Sequence, residues 1–306
     1  MAHRASSWPA RLAAGPCAGR WRPEHNAARM AWPLWRCRSF PPGDGRLAVV
    51  GVPTTIALLE RKPSISRDLF CRYWRDVHGV MAARIPGFET YTQHHVTPHV
   101  AMGSQVVESF EGIAVVTFAA LDDREGLISS EVTKHIHRDE QNVFRRALLY
   151  NLDGPATTIL GHADRAALES HFLVLPQGLD GDVVAQRLLS AGAAMVALHD
   201  LAGADPAGWN DTDVDEGGAG RLFGAIIQCW WIDGVAANAV LADVVSASEG
   251  QIACYRTDAR YPMVDRGRPT LIGLRGLDVV RTIDEAQAAN QRELDVLRAI
   301  YGSIAG

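Results

Sequence analysis

Two hydrophobic periods alternate along the middle of the chain. Residues 54–60 (TTIALLE) are short, apolar and β-branched, and Arg61, Lys62, Pro63 and Ser64 follow as a turn, which predicts a strand. Ser66 is placed to cap a helix, with Asp68 in the first turn where a negative charge suits the helix dipole. Leu69, Phe70, Tyr73, Trp74, Val77, Met81, Ala82 and Ile85 then recur at three- and four-residue spacing, an amphipathic helix that Pro86 and Gly87 end. Residues 88–96 (FETYTQHHV) alternate as a strand does, which puts Tyr91, Gln93 and His95 on one face and His94 on the other. Residues 112–121 (GIAVVTFAAL) read as a nearly continuous apolar strand. Asp122 with Glu125 three positions later opens a helical segment that runs to about Tyr150, broken near Ser129 and Ser130. Residues 155–162 (PATTILGH) supply a fourth strand. The order βαββαβ is the ferredoxin-like arrangement, with two helices on one face of a four-stranded antiparallel sheet and the other face needing a cover.

The second half repeats the order. Residues 170–177, 183–190 and 193–201 predict strand, helix and strand; an acidic loop spans 203–220; residues 222–232, 235–246 and 251–257 predict strand, helix and strand. A long amphipathic helix over 283–301 closes the chain. The predicted fold class is α+β, with tandem ferredoxin-like domains packed as a pseudo-dimeric α+β barrel. Residues 47–163 form the first domain and 164–306 a second, degenerate one. The assembly expected is therefore an intrachain pseudo-dimer, with a homodimer as the other assembly the pattern allows.

Residues 1–46 differ from the rest. They hold eight arginines, only two acids, and Trp8, Trp21, Trp32 and Trp35, interrupted by six prolines. They read as a disordered extension or an over-long start, with Met30 as an internal start; a targeting peptide is the alternative, although the prolines would break its helix repeatedly. The net charge of −5 offers no global positive field for nucleic acid or an anionic membrane, and no stretch approaches the roughly 20 apolar residues of a membrane helix. A cytoplasmic location is expected. The five cysteines are scattered, with no C-x-x-C pair, so neither a disulfide framework nor a zinc site is indicated, and Cys71, Cys229 and Cys254 read as small buried hydrophobes.

Residues 61–96, RKPSISRDLFCRYWRDVHGVMAARIPGFETYTQHHV, resemble the opening of the EthD family, most specifically in Tyr73-Trp74-Arg75-Asp76-Val77-His78-Gly79. The resemblance spans about 54–162, with Val80 where many members carry proline. It implies a dimeric α+β barrel and a link to ether-degradation, polyketide or aromatic catabolic pathways. Related barrels of the methylmuconolactone isomerase type place a helix-one histidine and a strand-two tyrosine at one pocket, which His78 and Tyr91 match. These two are the candidate catalytic pair, His78 moving a proton and Tyr91 orienting a small-molecule substrate. Trp74, one turn before His78, and His95, on the same strand face as Tyr91, are the candidate substrate-binding residues.

Neighbours on a strand point to opposite faces, so His94 and His95 cannot share one ion, and neither His99 nor the pair His135 and His137 completes a ligand set; no metal site is predicted. No G-x-G-x-x-G, P-loop or G-x-S-x-G occurs, so no cofactor is predicted. Two functions follow from these residues. One is an enzyme acting on a small aromatic, lactone or polyketide-like compound through His78, with isomerase, lyase or monooxygenase-like outcomes. The other is a non-catalytic binding protein that accompanies such a pathway.

Overall fold

The computed structural model of the chain describes residues 46–47, 52–99, 109–125, 130–152, 157–161, 168–201, 214 and 223–302. In the first half, β2 (Thr54–Arg61) leads to α1 (Arg67–Tyr73), a π-helical turn (Trp74–His78) and α2 (Gly79–Ala82). Ser66 caps α1 by accepting the Leu69 N–H at 3.2 Å, as its position predicts. The half continues through β3 (Phe88–Pro98), β4 (Phe110–Phe118), α3 (Leu121–Glu125), α4 (Glu131–Val143) and β5 (Phe144–Leu152). The strands pair antiparallel in the order β3-β4-β2-β5, the ferredoxin-like order.

The fourth strand is not the one the sequence predicts. The expected helix stops at Val143, and residues 144–152 are strand rather than helix. Both faces of β5 are buried: Ala147 and Leu149 pack toward the helices, Leu148, Tyr150 and Leu152 toward the opposite side of the sheet. A strand buried on both faces is apolar at nearly every position and cannot be told from a buried helix by period. The segment near 155–162 is β6 (Thr157–Gly161), and it pairs in the sheet of the second half.

That half comprises β7 (Glu169–Pro176), α5 (Gly181–Ser190), β8 (Met195–Asp200), β9 (Phe223–Trp231), α6 (Gly234–Ala247) and β10 (Ala253–Asp265). Its order is β8-β9-β7-β10, again ferredoxin-like, with β6 on the β8 edge and a short β1 (Arg46–Leu47) beyond it. The acidic loop expected over 203–220 lies outside the described residues except for Val214. β10 joins the halves: it pairs with β7 near its start and with β3 from Tyr255↔Pro98 to Val264↔Tyr91. The inner sheet faces meet in one core, where Phe110 lies 6.2 Å from both Phe223 and Tyr255, and Phe172 stacks edge-on against His94 at 4.9 Å. Helices cover the two outer faces. The tandem of curled antiparallel sheets expected from the sequence is thus the architecture.

Past β10 come β11 (Arg268–Pro269), α7 (Leu271–Arg275), α8 (Leu277–Glu285), a 3-10 turn (Ala289–Arg292) and α9 (Leu294–Tyr301). The single long C-terminal helix predicted over 283–301 is therefore broken. Gln287 takes a positive φ of 52° and ends α8, so the apolar period belongs to two short helices. Among the described residues no helix is long and apolar enough to cross a membrane.

Candidate functional site

A cavity of about 400 Å³ lies between the outer face of the first sheet and the helices over it. Its walls include Ala57 and Leu59 of β2, Phe88 and Tyr91 of β3, Ala114, Val116 and Phe118 of β4, and Phe144, Ala147 and Leu149 of β5. The helices contribute Trp74, His78, Ile136 and Glu140. Small side chains at 57, 114 and 147 keep the sheet floor low, and this is where the space comes from. Asn151 and Thr55 form a polar end, the Thr55 hydroxyl donating to Asn151 Oδ1 at 2.7 Å.

His78 ends the π-helical turn, in which the Gly79 N–H reaches back to Trp74 O instead of closing an α-turn. π turns are rare and cluster at functional sites. The Trp74 carbonyl also accepts from Gln93 Nε2 at 2.8 Å, and this approach explains Gly79: a Cβ there would stand 2.4 Å from Gln93 Nε2. The glycine of the sequence signature is thus a packing requirement.

His78 is 6 % exposed, and its Nδ1 lies 3.0 Å from Asp139 Oδ2. Asp139 Oδ1 accepts the Tyr73 hydroxyl at 2.6 Å and Asn142 Nδ2 at 3.1 Å. Burial alone would raise the Asp139 pKa, but the hydrogen bonds from His78, Tyr73 and Asn142 outweigh it and hold the carboxyl below its ordinary value. An ionised carboxylate only accepts, so Nδ1 carries the proton and Nε2 is the nitrogen left for a ligand. Burial, and then the bond to Asp139, pushes the Tyr73 hydroxyl up, which keeps it a donor.

Tyr91 is fully enclosed, and burial pushes its phenol well above the ordinary range. Its oxygen accepts from Gln93 Nε2 at 2.8 Å, leaving its own proton to donate. Trp74 lies across the strand at Gly112, where a Cβ would stand 2.7 Å from the indole.

The structure brings His78, Tyr91 and Trp74 to one cavity and separates His95 from it. His95 stacks behind Trp74 at 4.7 Å between rings, with Tyr261 on its other side at 4.9 Å, and Nε2 faces Gln93 Oε1 at 3.3 Å. Burial, with Arg75 and Arg67 nearby, pushes its pKa down to about 3. The shared face with Tyr91 is real, but the indole takes the space between His95 and the cavity. His94 points into the core between the sheets, and His99 lies near His171 instead, 5.8 Å between rings. Among the described residues no three His, Cys, Asp or Glu side chains are grouped to chelate a metal ion. Cys71, Cys229 and Cys254 are buried, and burial pushes the Cys229 thiol up to about 12.

Asp139 is the site residue that sequence reasoning misses. It stands 61 positions from His78 in a polar helical stretch, EVTKHIHRDEQNV, in which no period marks one carboxylate above its neighbours. The same holds for Glu140, a second buried carboxylate at the cavity wall.

No curated protein matches the chain. Among solved structures, an anthrone oxidase-like protein is similar at 14% identity with a TM-score of 0.43, covering 69% of this chain and 93% of its own. A candidate monooxygenase from Lactobacillus acidophilus NCFM is similar at 10% identity and a TM-score of 0.38, covering 71% of this chain and 97% of its own. Another from Fusobacterium nucleatum subsp. nucleatum reaches 9% identity and a TM-score of 0.39, covering 72% and 99%. Residues 62–146 match the family model of the EthD domain, the family whose signature residues 73–79 resemble.

Proposed function

We propose that the cavity binds a small aromatic, lactone or polyketide-like compound and that His78 carries a proton to or from it. The observation that supports this reading is the Asp139-oriented imidazole at the wall of a cavity whose floor and walls are mainly apolar, with Glu140, Thr55 and Asn151 as further polar groups. With Nδ1–H held by Asp139, Nε2 acts as base toward an acidic C–H or O–H, and the resulting imidazolium is stabilised by the carboxylate. Tyr91 donates to the oxygen on which negative charge builds, while Trp74, Phe88 and Phe144 give faces for a planar ring. Return of the proton to a different atom gives an isomerase, and loss of a neighbouring leaving group gives a lyase. Addition of the deprotonated carbon to dioxygen, return of the proton from the imidazolium to the peroxide and loss of water leave a ketone, a monooxygenase-like outcome.

The named wall residues all fall between 55 and 151. We therefore read residues 47–163 as the working domain of a cytoplasmic catabolic protein and 164–306 as its degenerate cover, an intrachain replacement for a second subunit. Thermal-shift and turnover screening of the full chain against aromatic lactones and phenolic polyketides, with His78→Ala alongside, tests the reading. A compound that both proteins bind and only the wild type converts upholds it. A compound bound by both and converted by neither makes the protein a binding module.

A further inference from the structure

The helices beyond β10 belong to neither βαββαβ half, yet they grip the segment that carries His78. α8 begins without a cap of its own, because its N-cap position is Gly276. Its first N–H, that of Leu277, donates instead to Asp76 Oδ1 at 2.7 Å, across 201 positions. Asp76 is the middle residue of the π-helical turn and stands two positions before His78. The same carboxylate accepts Arg75 Nε at 2.8 Å and pairs with Arg75 Nη2, which reaches Asp278 Oδ1 at 3.0 Å. Gly276 has φ +78°, and a Cβ there would lie 3.1 Å from Asp76 Oδ1, so glycine is needed for the chain to turn this close to the carboxylate. A second grip lies further along, where Arg84 Nη2 donates to Leu274 O at 3.1 Å and Nη1 to Gly273 O at 3.4 Å.

A π turn competes with the α register of the same residues and persists where the surroundings support it. One support comes from the sheet, where Gln93 holds the Trp74 carbonyl. The other comes from α8, which holds Asp76. Slippage of the turn to the α register would rotate His78 about the helix axis and away from Asp139.

We propose that Asp76 is a positioning residue for His78, and that the C-terminal segment 271–301 completes the site by holding the π turn in the register that presents the imidazole to Asp139. The functional consequence rests on the proton-transfer reading of His78; the hold of α8 on the π turn through the Asp76–Leu277 bond does not.

The test uses the full chain and the Nδ1 proton resonance of His78, assigned by its loss in His78→Gln. Asp76→Ala removes the acceptor. Leu277→Pro removes the donated N–H, at the first helical position where proline is tolerated, with Leu277→Ala as the control for the half-buried side chain, and carries the test if Asp76→Ala does not fold. The resonance is expected in the wild type, in Leu277→Ala and in Asp76→Asn, whose amide oxygen still accepts, and is expected to be lost or broadened in Asp76→Ala and Leu277→Pro while their melts stay cooperative. Affinity for a compound that raises the wild-type melting temperature should fall roughly tenfold in both. An unchanged resonance in Asp76→Ala and Leu277→Pro would overturn the proposal. Absence of the resonance from the wild type, with turnover still dependent on His78, would also overturn it and leave proton transfer standing. A resonance that responds as expected in a protein without turnover upholds the positioning role and removes the catalytic reading.

Discussion

The Asp139 carboxylate holds His78 Nδ1 at 3.0 Å and is itself held by the Tyr73 hydroxyl at 2.6 Å, so the imidazole has one tautomer and one orientation. Asp139→Asn keeps the shape and removes the charge that fixes this tautomer. Turnover of a converted compound is expected to fall roughly 10²–10⁴-fold, with binding little changed. Steady-state kinetics alongside thermal shifts would show it; equal turnover in the variant would leave Asp139 a packing residue.

Tyr73→Phe removes one of the donors that lower the Asp139 pKa. The sign follows from linkage. Because the folded pKa lies below the unfolded one, the stability that the Asp139 carboxylate contributes is present above the ordinary carboxylate value and is lost as pH falls through the folded value. Tyr73→Phe is therefore expected to destabilise by about 1 kcal/mol at neutral pH, by less near pH 3. Denaturant midpoints at the two pH values measure this, and a deficit that does not depend on pH would contradict it.

Gly79→Ala should cost about 1–3 kcal/mol, because its Cβ would displace Gln93 Nε2, and Met263 Cε and Trp74 O each lie only 2.9 Å away. Gln93 is completely buried, and its amide also reaches Tyr91, so the substitution disturbs both cavity residues it connects. Loss of ligand-induced stabilisation should accompany the drop in melting temperature.

The positions that sequence reads correctly are those whose neighbours lie close along the chain. Ser66 caps α1, and His78 and Tyr91 meet at one cavity because a single tight turn joins helix to strand. Trp74 stands one turn before His78 and lines the same cavity, but helical spacing alone gives it equally to the core. His95 was not separable from the cavity by alternation, since the indole that covers it arrives from another element. β5 reads as helix in the sequence because burial on both faces erases the two-residue period. Asp139 and the Asp76–Leu277 bond depend on contacts 61 and 201 positions apart, for which a local pattern holds no signal.

Ala114 is 7 % exposed and stands on the cavity floor, where a larger apolar side chain has space to enter. Ala114→Leu is expected to leave stability unchanged or slightly raised, since it fills a void, and to abolish ligand-induced thermal shifts. A variant that still binds at wild-type affinity would place the ligand elsewhere.

Two buried histidines make the fold sensitive to acid. Burial pushes His171 down to about 4, with the charges of His99 and Arg256 acting in the same direction, and His95 lies at about 3. Among the described residues Glu169 pairs with the His171 ring, 3.9 Å from Nε2, and is partly exposed. Both imidazoles are neutral in the folded chain and take up a proton more readily once it unfolds. Their contribution to stability is thus complete above the ordinary histidine value of about 6.5 and declines as pH falls toward the folded values. At pH 5 each should have cost about 2 kcal/mol relative to pH 7, at 1.36 kcal/mol per pKa unit. His171→Leu should remove about half of this excess dependence, read as the difference in urea unfolding free energy between pH 7 and pH 5. An equally steep decline in the variant would mean that His171 is charged or solvated in the native protein.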